Sequence, residues 1–331
     1  MTTAPTETRT PTQTRAYRDG RLVAEAFPLA EVSDHLERDC TVWVDFTDPT
    51  ADDLAQLEEE LDLHELAVED ALVGGQRPKI DHYEGHLFAV LYDVAFDSRS
   101  GVLTTSEVKA FLTRRALVTI HHPEFDVAHL AATYDQNVEL AAHGVPFLLW
   151  GLVDSVVDRH SAATDALDDE IEGIADDLFD PAPRTVDVQK RSFALRKSLV
   201  LLRRVSAPMR DLVATLLRRD LHDVDPVMQP YFQDVQDHVL RVAEQNDSLR
   251  DLVSTILDTN LALQSNRMND VMKKVTSWAA IIAVPTAITG FYGQNVPYPG
   301  FSQVSGFVTS CVLIVGVGGL LWWQFRKRDW L

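Results

Sequence analysis

Residues 275–325 determine the fold class of this chain, and they read VTSWAAIIAVPTAITGFYGQNVPYPGFSQVSGFVTSCVLIVGVGGLLWWQF. These 51 positions contain no Asp, Glu, Lys or Arg. A helix that crosses a membrane needs about 20 apolar residues, so the stretch predicts two spans, at 275–292 and 304–325. The loop between them is rich in Gly and Pro. It predicts a short turn at the far interface, because hydrocarbon cannot solvate open backbone groups.

Basic residues flank this predicted hairpin. Lys273 and Lys274 precede the first span, Arg326, Lys327 and Arg328 follow the second, and the loop is uncharged. By the positive-inside rule, both termini are then cytoplasmic and the loop lies outside. We therefore predict a multi-pass protein of the inner (plasma) membrane whose large N-terminal part is cytoplasmic.

The remainder of the chain is strongly acidic. The 331 residues include 30 Lys+Arg and 50 Asp+Glu, for a formal net charge of −20. Residues 1–266 have 24 basic and 48 acidic side chains, whereas residues 267–331 have six and two. This balance argues against a nucleic-acid partner, because such proteins present a basic face. The two cysteines are too few for a disulfide scaffold.

The residue pattern divides the chain into four parts. Residues 1–15 (MTTAPTETRTPTQTR) have no apolar core and predict a disordered tail, not a signal peptide. Residues 16–145 alternate strand-like and helix-like segments and predict an α/β domain. Residues 146–274 predict long helices, and the last one starts near Pro226 and continues into the first span. With the membrane hairpin and basic tail at 275–331, the predicted fold is an α+β cytoplasmic domain, a long stalk helix and two transmembrane helices.

The predicted stalk helix contains a heptad seam with alternating spacings of 4 and 3. Such a seam packs against another helix. Its partner is either the preceding helix of the same chain or the same helix in other copies. We favour self-association, because this helix must enter the membrane and two spans per copy are too few to enclose a pore. The seam comprises Val235, Val239, Val242, Asn246, Leu249, Val253, Ile256, Asn260, Leu263 and Arg267.

A second set of residues, the polar stripe, lies near one face of the same helix. It is acidic at its start, then amide, apolar, small and finally hydroxyl, whereas a lipid-facing surface would present large apolar side chains. If several copies turned this face inward, it would line a narrow pathway. The alternative is close helix packing through small residues. The stripe comprises Asp258, Asn269, Met272, Val275 or Thr276, Ala279, Ala283 and Thr286.

The loop after the first span begins with the motif Tyr292-Gly293-Gln294-Asn295. A Gly-x-Asn turn is common, but here it follows the first of two C-terminal spans, and the chain ends in the basic, aromatic RKRDWL. Together with QRPKI at 76–80, YFQDVQDH at 231–238 and NDVMKK at 269–274, this order resembles the CorA-type family of divalent-cation transporters over most of the chain. The commonest family motif is Gly-Met-Asn, so Gln294 is a departure that puts the transported metal in doubt.

The resemblance implies a funnel-shaped homopentamer with a pore along the first spans. Asn295 of each subunit would form an outer ring around a hydrated Mg²⁺ ion, beside Gln294, and Gly293 would let the backbone turn. Deeper in the pore, the family has a hydroxyl ring, a polar ring, an apolar gate and an acidic ring. Thr286 matches the hydroxyl ring, Asn269 the polar ring, Met272 with Val275 the apolar gate, and Asp258 the acidic ring. Ala283 stands where some relatives have methionine, and Ala279 completes the wall.

The resemblance also implies that Mg²⁺ is both the substrate and a regulatory ligand. Cytoplasmic Mg²⁺ bound between neighbouring subunits would hold the channel closed, and Asp234 matches one carboxylate of that site; its partner is not identified. The sequence has no P-loop or other phosphate-binding pattern and no recognisable catalytic constellation. We therefore predict neither an enzyme nor an organic cofactor.

The leading prediction is a homo-oligomeric channel that imports Mg²⁺, with Co²⁺ or Ni²⁺ as further substrates, down the membrane potential. An alternative of the same fold is a zinc transporter, with proton coupling left open. An alternative of another class is a membrane-anchored cytosolic metal sensor without transport. The polar stripe and the uninterrupted helix argue against that anchor, which needs neither.

Overall fold

The computed structural model of the chain describes residues 12–178, 185–217, 226–294 and 297–331. These residues divide into two units, one that extends to Ile256 and one that begins at Leu257. The division lies inside 146–274, the part that the sequence predicts to be long helices. The last of these helices therefore contributes residues to both units.

The first unit contains a mixed β-sheet. Its spatial order is β2-β1-β3-β7-β6-β5-β4. Strands β3 and β7 are parallel, and all other neighbouring pairs are antiparallel. The strands are β1 Thr12–Arg18, β2 Arg21–Glu25, β3 Thr41–Thr47, β4 Lys79–Tyr83, β5 His86–Asp97, β6 Val102–Thr113 and β7 Ala116–His121.

The centre of this sheet is covered on both faces, which explains why all six residues of β7 are buried. Trp43 and Leu117 belong to a core that includes residues of the long helices α6 (Val145–Leu178) and α7 (Thr185–Leu216). Val44 and Val118, on the other face, pack in a second core with helices α2 (Ala51–Leu61) and α3 (Glu65–Leu72). The unit is therefore a three-layered α/β/α arrangement, which confirms the predicted mixed domain.

Local signals explain the short helices. Thr50 forms a capping box with Asp53 at the start of α2, each side chain accepting a backbone N–H. Asp62 ends that helix in the left-handed conformation, at φ 53°. The remaining short elements are α1 Val32–Glu37, α4 Val127–Gln136, α5 Val138–Ala141 and 3₁₀ turns at Leu29–Glu31 and Pro226–Met228.

Helix α8 (Gln229–Tyr292) has 64 residues and begins directly after the turn at Pro226–Met228. Its heptad seam is covered by the same chain from Val235 to Ile256, where every seam residue is buried. The Asn246 side-chain amide donates to the Leu199 carbonyl of α7, 3.2 Å away. The prediction that this part of the seam serves self-association is therefore wrong, because the chain's own helices cover it.

The second unit consists of the last part of α8 and helix α9 (Val304–Lys327). Windows within these two helices have mean hydropathies of 1.4 and 2.1, and both helices are long and apolar enough to cross a membrane. After α9 the chain folds back. The Trp330 N–H donates to the Phe325 carbonyl at 3.0 Å, and the two rings stack with centroids 5.7 Å apart.

The predicted disordered tail at 1–15 is wrong for its last four residues, because β1 begins at Thr12; residues 1–11 lie outside the described part. Arg15 is 7% exposed, and its guanidinium pairs with Asp135 at 2.9 Å and with Glu25 at 3.3 Å. These partners are distant in sequence, so the polar string TQTRAYR gave no sign of a buried strand.

Candidate ion-pathway site

The polar stripe predicted from the sequence is an exposed face of α8. Because the helix turns by about 100° per residue, its members are neighbours on one side. Ser277, Ile281 and Val284, which are buried or half-buried, lie on nearly the opposite side. Packing within this unit therefore leaves the stripe open. The exposed stripe residues are Asp258, Asn269, Met272, Val275, Thr276, Ala279, Ala283 and Thr286.

Thr286 presents oxygen lone pairs from this face. Its Oγ1 hydroxyl donates to the Ile282 carbonyl, 3.0 Å away. The proton is thereby engaged inside the helix, while the lone pairs of the exposed hydroxyl stay available as acceptors. The waters around a cation point their protons outward, so an acceptor at this position is suited to a hydrated ion.

Asn269 and Met272 line an open cavity of about 620 Å³, and Trp330 also contributes to its wall. Met272 and Val275 are 57% and 59% exposed, which is unusual for apolar side chains of this size. If they met their counterparts from other copies, they would form an apolar constriction that closes by dewetting. The neighbouring Ala279 and Ala283 are small enough to leave a path open beyond it.

The Gly-x-Asn motif follows the end of α8. The Gly293 N–H donates to the Thr289 carbonyl at 2.9 Å, and the Gln294 N–H donates to the Phe291 carbonyl at 3.3 Å. Gly293 does not have a positive φ, and a Cβ there would lie 3.2 Å from the Thr289 oxygen. The backbone at Gly293 is therefore not left-handed, so the expected use of glycine for a special turn is not seen. A side chain is disfavoured there because its Cβ would come too close to the Thr289 carbonyl oxygen. Asn295 lies outside the described residues.

Two aspartates of α8 belong to different units and are described separately. Asp258 is exposed in the second unit. In the first unit the Asp234 side chain is 70% exposed, with Oδ2 3.9 Å from Nε2 of His238. Burial raises the pKa of Asp154 on α6 to about 6, with Asp158 and Asp234 acting in the same direction and His238 against it. This acidic neighbour of Asp234 was not predicted from the sequence, because its proximity depends on how α6 and α8 pack.

Within the described ranges, no group of three or more His, Cys, Asp or Glu side chains could hold a metal ion. A dehydrated divalent cation needs about six oxygen ligands. The oxygens that one copy offers along α8 therefore suit either an ion that keeps its water or a site that other copies complete.

Comparison with known proteins identifies the family of this chain. The model of the family described as CorA-like Mg²⁺ transporter protein matches residues 39–327. The cobalt/magnesium transport protein CorA of Thermotoga maritima is 30% identical over 87% of this chain and 83% of its own length. The zinc transport protein ZntB of Yersinia enterocolitica is 27% identical over 89% of each chain.

Solved structures agree on the fold. The CorA magnesium transporter from Methanocaldococcus jannaschii superimposes with a TM-score of 0.77 at 22% identity, and the match covers 100% of both chains. The full-length CmaX protein gives a TM-score of 0.72 at 20% identity over 98% of this chain and 99% of its own. At these identities the likeness shows the fold alone.

Proposed function

This chain belongs to the family of CorA-like Mg²⁺ transporter proteins, and we propose that it is a homopentameric channel that imports Mg²⁺ into the cytoplasm. Membership makes it a membrane transporter of divalent cations. The observation that supports the finer proposal is the polar stripe of α8, which is exposed on a helix that is long and apolar enough to span a membrane. Five copies that turned this face to a common axis would enclose the pathway.

The chemistry of the stripe fits an ion that keeps its first shell of water. Mg²⁺ dehydrates reluctantly and prefers oxygen ligands. Neutral amide and hydroxyl oxygens can orient its waters without trapping the charge. In this proposal Asn295 forms the outer ring, Gly293 and Gln294 shape the mouth, Thr286 forms a second acceptor ring, and Asn269 forms an inner polar ring.

The gate of this proposed channel lies at Met272 and Val275, where apolar side chains are exposed in the single copy. Ala279 and Ala283 line the wider part of the path, and Asp258 supplies an acidic ring below the gate. The driving force is the membrane potential. It contributes about 2.3 kcal/mol per charge per 100 mV, hence about 4.6 kcal/mol for a divalent ion.

We propose that cytoplasmic Mg²⁺ also regulates the channel through Asp234. The carboxylate is 70% exposed and so is available to a neighbouring copy. Asp154 lies close to it, since the pKa of Asp154 is raised first by burial and then also by the charges of Asp158 and Asp234. A cation that binds between copies at this position would hold them together and favour the closed state, and neither an organic cofactor nor an enzymatic step is needed.

The proposed topology has both termini in the cytoplasm and the 293–303 loop outside, in the plasma membrane. Lys273 and Lys274 before the first span, and Arg326 to Arg328 after the second, favour this orientation. Cation–π contacts of Arg326 over Trp322, at 5.1 Å, and of Lys327 over Trp323, at 5.4 Å, fit a membrane interface at the end of α9.

Zn²⁺ is the second candidate substrate, and Co²⁺ and Ni²⁺ are further candidates. The specific observation in favour of zinc is the similarity to zinc transport proteins over 89% of the chain. Gln294 in place of the usual methionine is compatible with it. That alternative leaves proton coupling open.

The test is flux into liposomes with an interior negative potential, measured with trapped Mg²⁺ and Zn²⁺ indicators. The wild-type chain is compared with Asn295→Ala and with the control Gln303→Ala, which removes a loop amide whose Oε1 accepts from Ser305. We expect Mg²⁺ entry in the wild type and the control, and a loss of at least tenfold in Asn295→Ala. Zinc entry alone, with protons, would move the protein to the zinc function. No flux from an oligomeric preparation at low Mg²⁺ would refute transport and leave a membrane-anchored sensor.

A further inference from the structure

The segment QRPKI at 76–80, which the transport proposal does not use, is held rigidly in the first unit. The buried Glu107 carboxylate accepts the Gly75 N–H at 3.2 Å and the Gln76 N–H at 3.1 Å. The Tyr92 hydroxyl donates to the Gln76 carbonyl at 2.5 Å. Three hydrogen bonds to neighbouring backbone groups fix this loop, so its next side chain, Arg77, projects from a defined position.

Arg77 is an exposed cation without an ion pair among the described residues. Lys79, two positions later, is by contrast a paired cation, because its ammonium lies 2.6 Å from both Asp70 and Asp81. The loop therefore neutralises one of its two positive charges internally and leaves the other available to a ligand.

A second unpaired guanidinium comes from α7. Arg204 is exposed and has no ion pair within the described part of the chain, whereas the adjacent Arg203 pairs with Asp247 at 3.0 Å. Arg204 lies close enough to the Tyr92 phenol to lower its pKa, against the stronger upward effect of burial. Tyr92 thus connects the position of Arg204 with the loop that presents Arg77.

Arg77 and Arg204 line the same cavity, which has a volume of about 330 Å³. Small-molecule sites commonly have volumes of about 300–1,000 Å³. Ser106 also lines the cavity, although its Oγ is itself buried and has no hydrogen-bond partner in the described residues. Apolar atoms of Leu201 and Val205 form another part of the lining.

The charge at this cavity opposes that of its surroundings. Residues 1–266 have twice as many acidic as basic side chains, yet both exposed charged groups from the loop and from α7 are cationic. Glu107 also lines the cavity, but its carboxylate is buried, accepts the two backbone N–H groups and pairs with Lys109, whose Nζ is 3.6 Å away. Guanidinium groups match the oxygens of a phosphate with two parallel hydrogen bonds.

We propose that this cavity binds a phosphate group, either as free phosphate or on a small organic molecule of about the size of a mononucleotide. Arg77 and Arg204 hold the phosphate oxygens. An organic part packs against Leu201 and Val205. This site is separate from the ion pathway, so binding is measurable without transport.

The test is calorimetric titration of the purified full-length protein in detergent, with AMP and with inorganic phosphate, in EDTA. Arg77→Gln and Arg204→Gln are compared with the matched control Arg203→Gln. All three changes remove one exposed positive charge, and equal melting temperatures would verify folding. We expect each of the first two variants to raise the Kd for AMP at least tenfold, since a charge-assisted hydrogen bond is lost, and the control to leave it within twofold.

The two ligands identify the source of the phosphate. A lower Kd for AMP than for inorganic phosphate supports an organic ligand, and equal Kd values support free phosphate. Three outcomes would overturn the site: no saturable binding of either probe at about 1 mM, equal weakening by all three substitutions, or binding that requires Mg²⁺. The last would mean that a metal bridges the anion to acidic groups elsewhere.

Discussion

His160 on α6 makes the stability of the cytoplasmic unit depend on pH. The side chain is 1% exposed, and its Nε2–H donates to the Tyr92 carbonyl at 2.8 Å. Burial lowers the pKa of this imidazole from 6.5 to about 4, and the hydrogen bond only partly opposes that shift. The folded unit therefore excludes the proton that the unfolded chain accepts below pH 6.5.

The sign and size of the effect follow from this difference. Because the unfolded state binds more protons between pH 6.5 and 4, the free energy of unfolding falls as the pH falls through this range. One pKa unit corresponds to about 1.4 kcal/mol. Protonation of the unfolded chain alone then costs about 2 kcal/mol of stability between pH 7 and pH 5, and about 3 kcal/mol by pH 4.

The perturbation is His160→Gln, which keeps an N–H donor for the Tyr92 carbonyl and removes the titration. Hydrogen–deuterium exchange of β5 and α6 in the full-length protein, corrected for intrinsic rates, measures the opening free energy at pH 7 and pH 5. We expect the wild type to lose about 2 kcal/mol more than the variant. The control is His129→Gln, since His129 is exposed on α4.

An equal pH dependence in the wild type and His160→Gln would refute the reasoning. It would mean that His160 is protonated in the folded unit or that the measured opening leaves it buried. The opening free energy of His160→Gln still depends on pH to some extent, because burial also lowers the pKa of His86. The prediction therefore concerns the difference between the two proteins, and the same difference in His129→Gln would equally contradict it.

Two further pairs of substitutions test the packing of the first unit by thermal or chemical unfolding. Lys109→Met breaks a buried ion pair with Glu107, at 3.6 Å, and is expected to lower the free energy of unfolding by about 3 kcal/mol. Lys79→Met removes a half-exposed cation and is expected to lower it by less than about 1 kcal/mol. Equal losses of stability in the two variants would contradict this. Gly20→Ala would place a methyl group 1.9 Å from a carbonyl oxygen of α5, for a cost of about 3 kcal/mol. Gly85→Ala also has a positive φ but meets nothing within 4 Å, so only backbone strain of about 1 kcal/mol is expected.

The parts of the fold with a clear hydrophobic period were predictable. The sequence around Arg114-Arg115 and the apolar run Ala116–His121 is enough to predict the hairpin turn and the strand β7 that the structure has there. The sequence of residues 51–72 indicates two short helices, which are α2 and α3, and of the two candidate N-caps, Asp48 and Thr50, the structure has Thr50. These elements are predictable because turn residues, capping residues and apolar periodicity are all visible in the local sequence.

Three strands whose stability comes from distant contacts were not predicted from the sequence. β1 and β2 are rich in polar residues, and β1 pairs with β3 about 30 residues later in the chain. β4 is only five residues long and has no fully buried side chain. Such strands have no period-2 apolar pattern, and their place in the sheet depends on partners that the local sequence does not reveal.

The heptad seam of α8 shows the same limit for the site. A repeat of apolar residues shows that a partner exists but does not identify it. Up to Ile256 the partner is the chain itself; beyond that residue, Asn260 and Leu263 are only half-buried and Arg267 is exposed. The open face of the helix therefore includes Asp258 onward, which is also where the polar stripe begins. The seam of α8 up to Ile256 is already covered by the chain's own helices. If copies of this chain associate through α8, they must therefore do so chiefly through the residues from Asp258 onward, which include the proposed pore.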